Sequence, residues 1–273
     1  MKPIFDVLKH LARLFMKIYF PTGPYRVKEV ELFGFRALLF IDQLICQKMY
    51  LRVFERAETK VLQKLIKTDD VCIDIGANVG YYTLLFSKQA SHVMSFEPID
   101  QNADLLQLSL STNEINNVEI FRFVCGSNSG NISFAQSEES GLSSVLSGVS
   151  PHDGMGEFGA SIRNVLAKKL IRIDDIDINR LDIVKIDVEG YEAEVLAGMK
   201  NTLLRLRPRL IMIELVDSYL SSYGSSIEEV FIFMKNIDYV PMEIIGSTLM
   251  PWRGGRVIND DYFFSVRDLV VSV

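Results

Sequence analysis

The chain has 273 residues, 48% hydrophobic and 23% charged, which excludes a disordered or collagen-like polymer. The three cysteines, Cys46, Cys72 and Cys125, are too few and too scattered for a disulfide framework or a cysteine-rich zinc site. A formal net charge of −6 and an isoelectric point near 5.2 argue against a general nucleic-acid binder.

The charge is uneven. Residues 1–67 carry a net +7 and residues 68–273 a net −13. The basic part begins with Ile4, Leu8, Leu11, Phe15 and Ile18 at helical spacing, with Lys9, Arg13 and Lys17 elsewhere on the helix. This pattern predicts an amphipathic helix over 1–20. It has two readings: packing in a core or homodimer contact, or peripheral contact with a membrane surface. Asp6, Lys9, His10, Arg13 and Lys17 interrupt the apolar run and no small-residue cleavage site follows, so a secretory signal is not expected. Nowhere does the chain supply the ~18–20 uninterrupted apolar residues of a spanning helix. The expected location is cytoplasmic, with membrane contact confined to 1–20. Residues 1–53 are read as a basic, amphipathic helical and hairpin extension, and 54–273 as the main domain.

In chain order, a hairpin is predicted near 26–40 and a helix at 54–67. The pattern then becomes alternating α/β. Strands are predicted at 71–75, 93–96, 118–124, 182–186 and 210–215, and helices at 80–89, 102–112 and 192–204. Such alternation predicts a mainly parallel sheet with helices on both faces. The tail adds a helix at 226–236 and strands at 239–245 and 261–266, with a turn-rich loop at 251–255 between them. Residues 126–160 are rich in Ser and Gly and lack a clear period, predicting a long irregular insertion over the ligand crevice.

Asp74-Ile75-Gly76-Ala77-Asn78-Val79-Gly80 follows an apolar strand and opens a helix. Its glycines suit a sharp turn and close approach of a ligand. A dinucleotide fingerprint would have a further glycine where Ala77, Asn78 and Val79 stand. Asp74 would repel a diphosphate and attract an amino group. S-adenosylmethionine, with an ammonium and a sulfonium and no phosphate, therefore suits the turn better than NAD. Glu97, at the end of the next strand, is placed to accept ribose hydroxyls. Lys185-Ile186-Asp187-Val188-Glu189-Gly190 ends another strand, with Asp187 and Glu189 on one side of it. A buried carboxylate pair raises one pKa and makes a general base. The alternative is that Glu189 caps the following helix. Lys185 orients one of these acids or pairs with it. Glu214 adds a carboxylate at the same edge.

These segments resemble the FkbM-type family of S-adenosylmethionine-dependent methyltransferases. The resemblance spans about 55–216. It rests on IDIGANVGYYTLLF (73–86), FEP (96–98), Asn102, Asn113, Asn117-Val118, RIDDI (172–176), DIVKIDVEGYEAEVLAG (182–198) and RPRLIMIE (207–214). FERAE (54–58) is similar to the family's acidic entry segment. Ser109 departs from the family's usual Asn.

The resemblance implies a Rossmann-like sheet of seven strands, mostly parallel with the last antiparallel, and S-adenosylmethionine as cofactor. It implies O-methylation of a hydroxyl on a sugar, glycan or other small molecule. The implied cofactor set is Asp74, Gly76, Ala77, Asn78, Gly80, Tyr82, Thr83, Glu97, Pro98 and Asp187, with Ser127 and Asn128 standing where an Asp often holds the adenine. Candidate catalytic groups are Asp187, Glu189, Glu214 and His152 in the insertion. Asp187, Glu189 and Glu214 are also an oxygen donor set for a hard cation, but no metal is assigned. Tyr81, Tyr82 and Trp252 are candidates for stacking on a sugar. Two other readings stay open: a methyltransferase-like binding module, and an NAD(P)-linked oxidoreductase.

Overall fold

The computed structural model describes residues 26–137, 143–145, 162–255 and 260–266. The amphipathic segment 1–20 and His152 lie outside the described residues.

A hairpin of β1 (Val27–Leu32) and β2 (Phe35–Phe40) forms where the sequence predicts it. Short α1 (Leu44–Tyr50) follows, then α2 (Arg56–Leu65). The α/β body starts with β3 (Val71–Ile75), α3 (Tyr81–Ser87), β4 (His92–Phe96), α4 (Asp100–Thr112) and β5 (Val118–Phe121). β3 and β4 are apolar runs buried on both faces, as central parallel strands must be. All seven residues of α3 are buried.

The predicted strand 118–124 divides. Its second half, β6 (Val124–Cys125), leaves the main sheet and pairs in parallel with β9 (Ile162–Ile171). The described parts of the insertion are more regular than expected. β7 (Gly130–Ser137), β8 (Ser144–Val145), β9 and β6 form a second sheet in the order β6-β9-β7-β8.

After β10 (Ile183–Ile186), the single helix expected at 192–204 is two: α5 (Glu192–Gly198) and α6 (Lys200–Leu206). The break has two causes. Gly198 packs so tightly on Gly126 that a Cβ would lie 1.8 Å from its carbonyl oxygen. Asp174 accepts hydrogen bonds from the Asn201 and Thr202 amides at 3.2 and 2.8 Å, capping a fresh N-terminus. The chain ends its described part with β11 (Leu210–Leu215), α7 (Asp217–Ser221), α8 (Ile227–Asn236), β12 (Tyr239–Ile245), β13 (Thr248–Pro251) and β14 (Asp260–Val266).

The main sheet runs β13-β12-β14-β11-β10-β3-β4-β5. It has eight strands, not seven, because β13 adds a short antiparallel edge to β12. β11, β10, β3, β4 and β5 are mutually parallel, and the last strand, β14, is antiparallel to β11. Chain order reverses between β3 and β10, so the ligand crevice of this architecture lies at their carboxyl ends.

Alternation along the strands separates two cores. Cys72 and Ile183 join the layer of Leu62, Leu84, Phe86 and Leu106, whereas Ile73, Ile75, Val184 and Ile186 join that of Leu196, Leu203 and Met234. The hairpin shares the first layer through Leu32, Ala37 and Leu39. It is held to α4 by the Leu38 amide donating to Ser109 Oγ at 2.9 Å and the Arg36 amide donating to Asn113 Oδ1 at 2.9 Å.

Candidate active site

A cleft of about 810 Å³, its open mouth included, lies over the carboxyl ends of β3, β4 and β10. Asp74, Gly76, Ala77, Asn78, Tyr82, Glu97, Pro98, Asp187 and Glu189 line it, as do Tyr81 and Lys185. Residues separated by more than 110 positions therefore meet at one switch point.

The turn after β3 is built for closeness. The Gly76 and Ala77 amides both donate to the Phe96 carbonyl, at 2.9 and 3.0 Å. Gly76 has φ +81°, and a Cβ on it would lie 1.7 Å from the Asp187 carbonyl oxygen. Asn78, also left-handed at φ +51°, donates its amide to Glu97 Oε2 at 2.8 Å. Glu97 Oε1 accepts from the Ile99 amide at 2.8 Å and from Asn102 Nδ2 at 3.2 Å. Three donors thus fix a carboxylate that has about four acceptor positions, leaving one toward the cleft. Burial pushes the Glu97 carboxyl up to about 7 against those three hydrogen bonds.

Asp74 is 1% exposed. Its Oδ2 accepts from Thr83 Oγ1 at 2.6 Å, while Oδ1 is buried without a protein partner. Thr83 and Gly80 do not line the cleft. Thr83 bridges Asp74 and Ser95, and Gly80 starts α3 with a Cβ position 2.3 Å from Leu106.

Lys185 is a buried cation within β10, directly opposite Asp74 in the ladder. Its Nζ donates to Asp187 Oδ2 at 2.7 Å and stands 5.2 Å from the centre of the Tyr82 ring. Burial alone would pull the ammonium down, but Asp187, Asp74 and Glu55 outweigh it and hold the group above its ordinary pKa. Against its own burial, the Asp187 carboxyl is kept below the usual range by Lys185 and by a hydrogen bond with Glu214. Glu214 is pushed well up, first by the Asp187 charge and then by burial. Glu189 is pushed up by burial and by Asp187. Lys185 thus favours the ionised form of Asp187, whereas burial and the Asp187 charge oppose ionisation of Glu189 and Glu214. One oxygen each from Asp187, Glu189 and Glu214 lie within 4.8 Å of one another, a spacing compatible with a shared divalent cation.

Three neighbours of this group are not among the candidate site residues, although Glu55 lies in FERAE (54–58) and Glu192 in the 182–198 motif. Asp261 arrives by the antiparallel register of β14, opposite Glu214. Glu55, left-handed at φ +35°, accepts a hydrogen bond from the Tyr82 hydroxyl, and burial lifts its carboxyl to about 7. Glu192 accepts from the Val188 and Gly190 amides at 3.0 and 3.1 Å. Glu192 thus ties down the turn that leads into α5, whose N-terminus has no side-chain cap, and Glu189, at φ +55°, is left facing the cleft.

Ser127 and Asn128 do not reach the cleft. Ser127 Oγ donates to Glu194, and exposed Asn128 donates to Ser127 Oγ at 3.0 Å. The cause is the turn at Gly126, whose amide bonds the Ile171 carbonyl and carries the chain toward α5. The wall there is apolar instead: Pro98, Phe123, Phe134 and Val145. Phe134 and Val145 come from the insertion, as expected of a segment covering the crevice. Trp252 does not line the cleft and packs edge-on against Phe231 at 5.6 Å.

A parallel sheet with a glycine turn at the switch point, and acids rather than a phosphate cradle around it, defines the S-adenosylmethionine-dependent methyltransferase class. The orphaned Asp74 oxygen fits this cofactor: burial pushes the Asp74 carboxyl up, against Lys185 and the Thr83 hydrogen bond, and an ammonium would offset that burial where a diphosphate would add to it. The family model for the methyltransferase FkbM domain matches residues 74–241. The chain is 30% identical over 200 residues to the hexuronic acid methyltransferase AglP of Haloferax volcanii, covering 72% of this chain and 79% of that one. The protein belongs to the FkbM methyltransferase family, and S-adenosylmethionine is its cofactor. Among solved structures, methyltransferase FkbM from Methylobacillus flagellatus KT is 18% identical at a TM-score of 0.48, covering 73% of this chain. This chain spans 44% of that one, under half its length. SMU.1697c, a putative methyltransferase from Streptococcus mutans in complex with SAH, is 13% identical at a TM-score of 0.45, covering 77% of this chain and 94% of that one. These structural likenesses are loose and concern the fold alone.

Proposed function

We propose that the protein methylates a hydroxyl of a sugar or glycan. The observation that carries this is Asp187, whose carboxylate pairs with Lys185 at 2.7 Å on the cleft wall, with Glu189 beside it. The 30% identity to a hexuronic acid methyltransferase supports a sugar acceptor.

When bound, the cofactor supplies an electrophilic methyl on sulfur. The protein's part is alignment and proton removal. Asp74 Oδ1 would hold the cofactor's ammonium and the remaining Glu97 position a ribose hydroxyl, and Pro98, Phe123, Phe134 and Val145 would offer the adenine an apolar wall. Asp187 takes the acceptor's hydroxyl proton as the oxygen becomes an ether. The Lys185 ion pair and the Glu214 hydrogen bond fix the Asp187 carboxylate in orientation. Nothing in this reading requires 1–20, whose contact with a membrane surface would serve only to bring the protein to a lipid-linked acceptor.

The test is transfer of radiolabelled methyl from S-adenosylmethionine to methyl glycosides of glucose, N-acetylglucosamine and glucuronic acid. Label should enter as a base-stable ether. Label released as methanol by mild alkali would mark a carboxyl ester and overturn the hydroxyl reading.

A further inference from the structure

The orphaned Asp74 oxygen has a counterpart of opposite charge on the neighbouring strand. Asp74 and Lys185 are direct partners in the β3–β10 ladder, and both line the cleft. Side chains paired in this way face the same layer. Yet the Lys185 ion pair is with Asp187, two residues along its own strand, and not with Asp74. An ammonium has three donors. Among the described residues, the hydrogen bond that Lys185 makes goes to Asp187 alone. The cleft wall thus presents a buried acceptor lacking a donor beside a buried cation with donors to spare.

Two such charges left apart, where direct pairing would satisfy both, form the complement of a zwitterion. The amino-acid end of S-adenosylmethionine is one, with an ammonium and a carboxylate on the same carbon. We propose that Lys185 binds the α-carboxylate of the cofactor's methionine moiety while Asp74 binds its ammonium. Lys185 then serves two anions at once, the cofactor carboxylate and Asp187, and so ties cofactor binding to the orientation of the proposed base. The proposal rests on the methyltransferase reading and adds a residue to its cofactor site. It also gives a use to the lysine that stands in an otherwise apolar strand.

Calorimetric titration tests it without any acceptor. The probes are S-adenosylhomocysteine and its decarboxylated analogue, S-adenosyl-3-thiopropylamine, which keeps the amine. The wild-type protein should bind the analogue about 10- to 100-fold more weakly, the range of a charged hydrogen bond. Lys185→Met should bind both alike. Should that variant not fold, the Lys185 ammonium signal of lysine-¹⁵N-labelled wild-type protein gives the same answer: it should shift with S-adenosylhomocysteine and stay put with the analogue. Equal wild-type affinities for the two, or an unmoved ammonium signal, would overturn the proposal while leaving the cofactor reading intact. Failure of S-adenosylhomocysteine to bind would instead overturn the cofactor reading and this proposal together.

Discussion

The alpha carbon of Gly76 faces the carbonyl of Asp187 so closely that a methyl group on it would lie 1.7 Å from that oxygen. The turn that meets the cofactor and the strand end that carries the proposed base are therefore in backbone contact. We predict that Gly76→Ala, strained further by φ +81°, costs at least about 3 kcal/mol of stability. It should also abolish measurable S-adenosylhomocysteine binding. A thermal melt and a titration check both, and a variant with wild-type melting would refute the contact.

Glu97 organises its neighbourhood before any ligand arrives. Glu97→Ala strands the Asn78 and Ile99 amides and the Asn102 side chain. The expected loss is roughly 3 kcal/mol in urea unfolding, with cofactor affinity down tenfold or more. Affinity unchanged within twofold would remove Glu97 from the site.

Asp187→Asn keeps the shape and removes the charge. Methyl transfer should fall about 100-fold or more, the usual contribution of a general base, with S-adenosylhomocysteine affinity within about threefold of wild type. A variant retaining more than a third of the wild-type rate would transfer the role of base to another group.

Three acids, half-buried Glu55 and buried Glu97 and Glu192, have carboxyls raised by desolvation from an ordinary 4.5 to about 7. The folded protein then binds protons that the unfolded chain has released, so their stabilising contribution is full below pH 4.5 and is lost as the pH rises through 7. The urea midpoint should fall between pH 5 and 8. Glu192→Gln, which leaves one oxygen for the Val188 and Gly190 amides, should flatten that slope. A midpoint that climbs over the same interval would contradict the assignment.

Far from the cleft, Arg209 grips fully buried Asp70 with two hydrogen bonds of 2.7 and 2.5 Å and reaches the Leu65 carbonyl at 2.8 Å. Arg209→Met leaves that carboxylate without its cation, with the Lys67 amide still donating to it at 2.7 Å. A loss of about 3–5 kcal/mol is expected, with S-adenosylhomocysteine affinity unchanged at 25 °C. A loss below 1 kcal/mol would mean Asp70 finds another partner.

Much of this architecture is legible in the residues. β3, β10 and β11 read directly, because strands buried on both faces are continuous apolar runs. Asp74, Glu97 and Asp187 stand at or just beyond strand ends that the pattern itself marks. α1 escapes notice because Gln43 gives it no side-chain cap and its first turn holds no acid. β7 and β9 escape because their mixed exposure blurs the two-residue period. Ser127 and Asn128 look like adenine contacts by position, but a turn at one glycine redirects them. Asp261 reaches the site only through strand register, which no local pattern encodes, and the FERAE segment marks Glu55 without showing that a left-handed backbone turns it toward Tyr82.

The opposed charges of Asp74 and Lys185 sit on adjacent strands of the parallel ladder, whereas Phe134 and Val145 belong to a separate small sheet. The polar end of the cleft thus rests on the ladder and its apolar end on the small sheet, so exchanging Phe134 or Val145 reshapes the apolar end while the strand register that sets Asp74 opposite Lys185 stays in place.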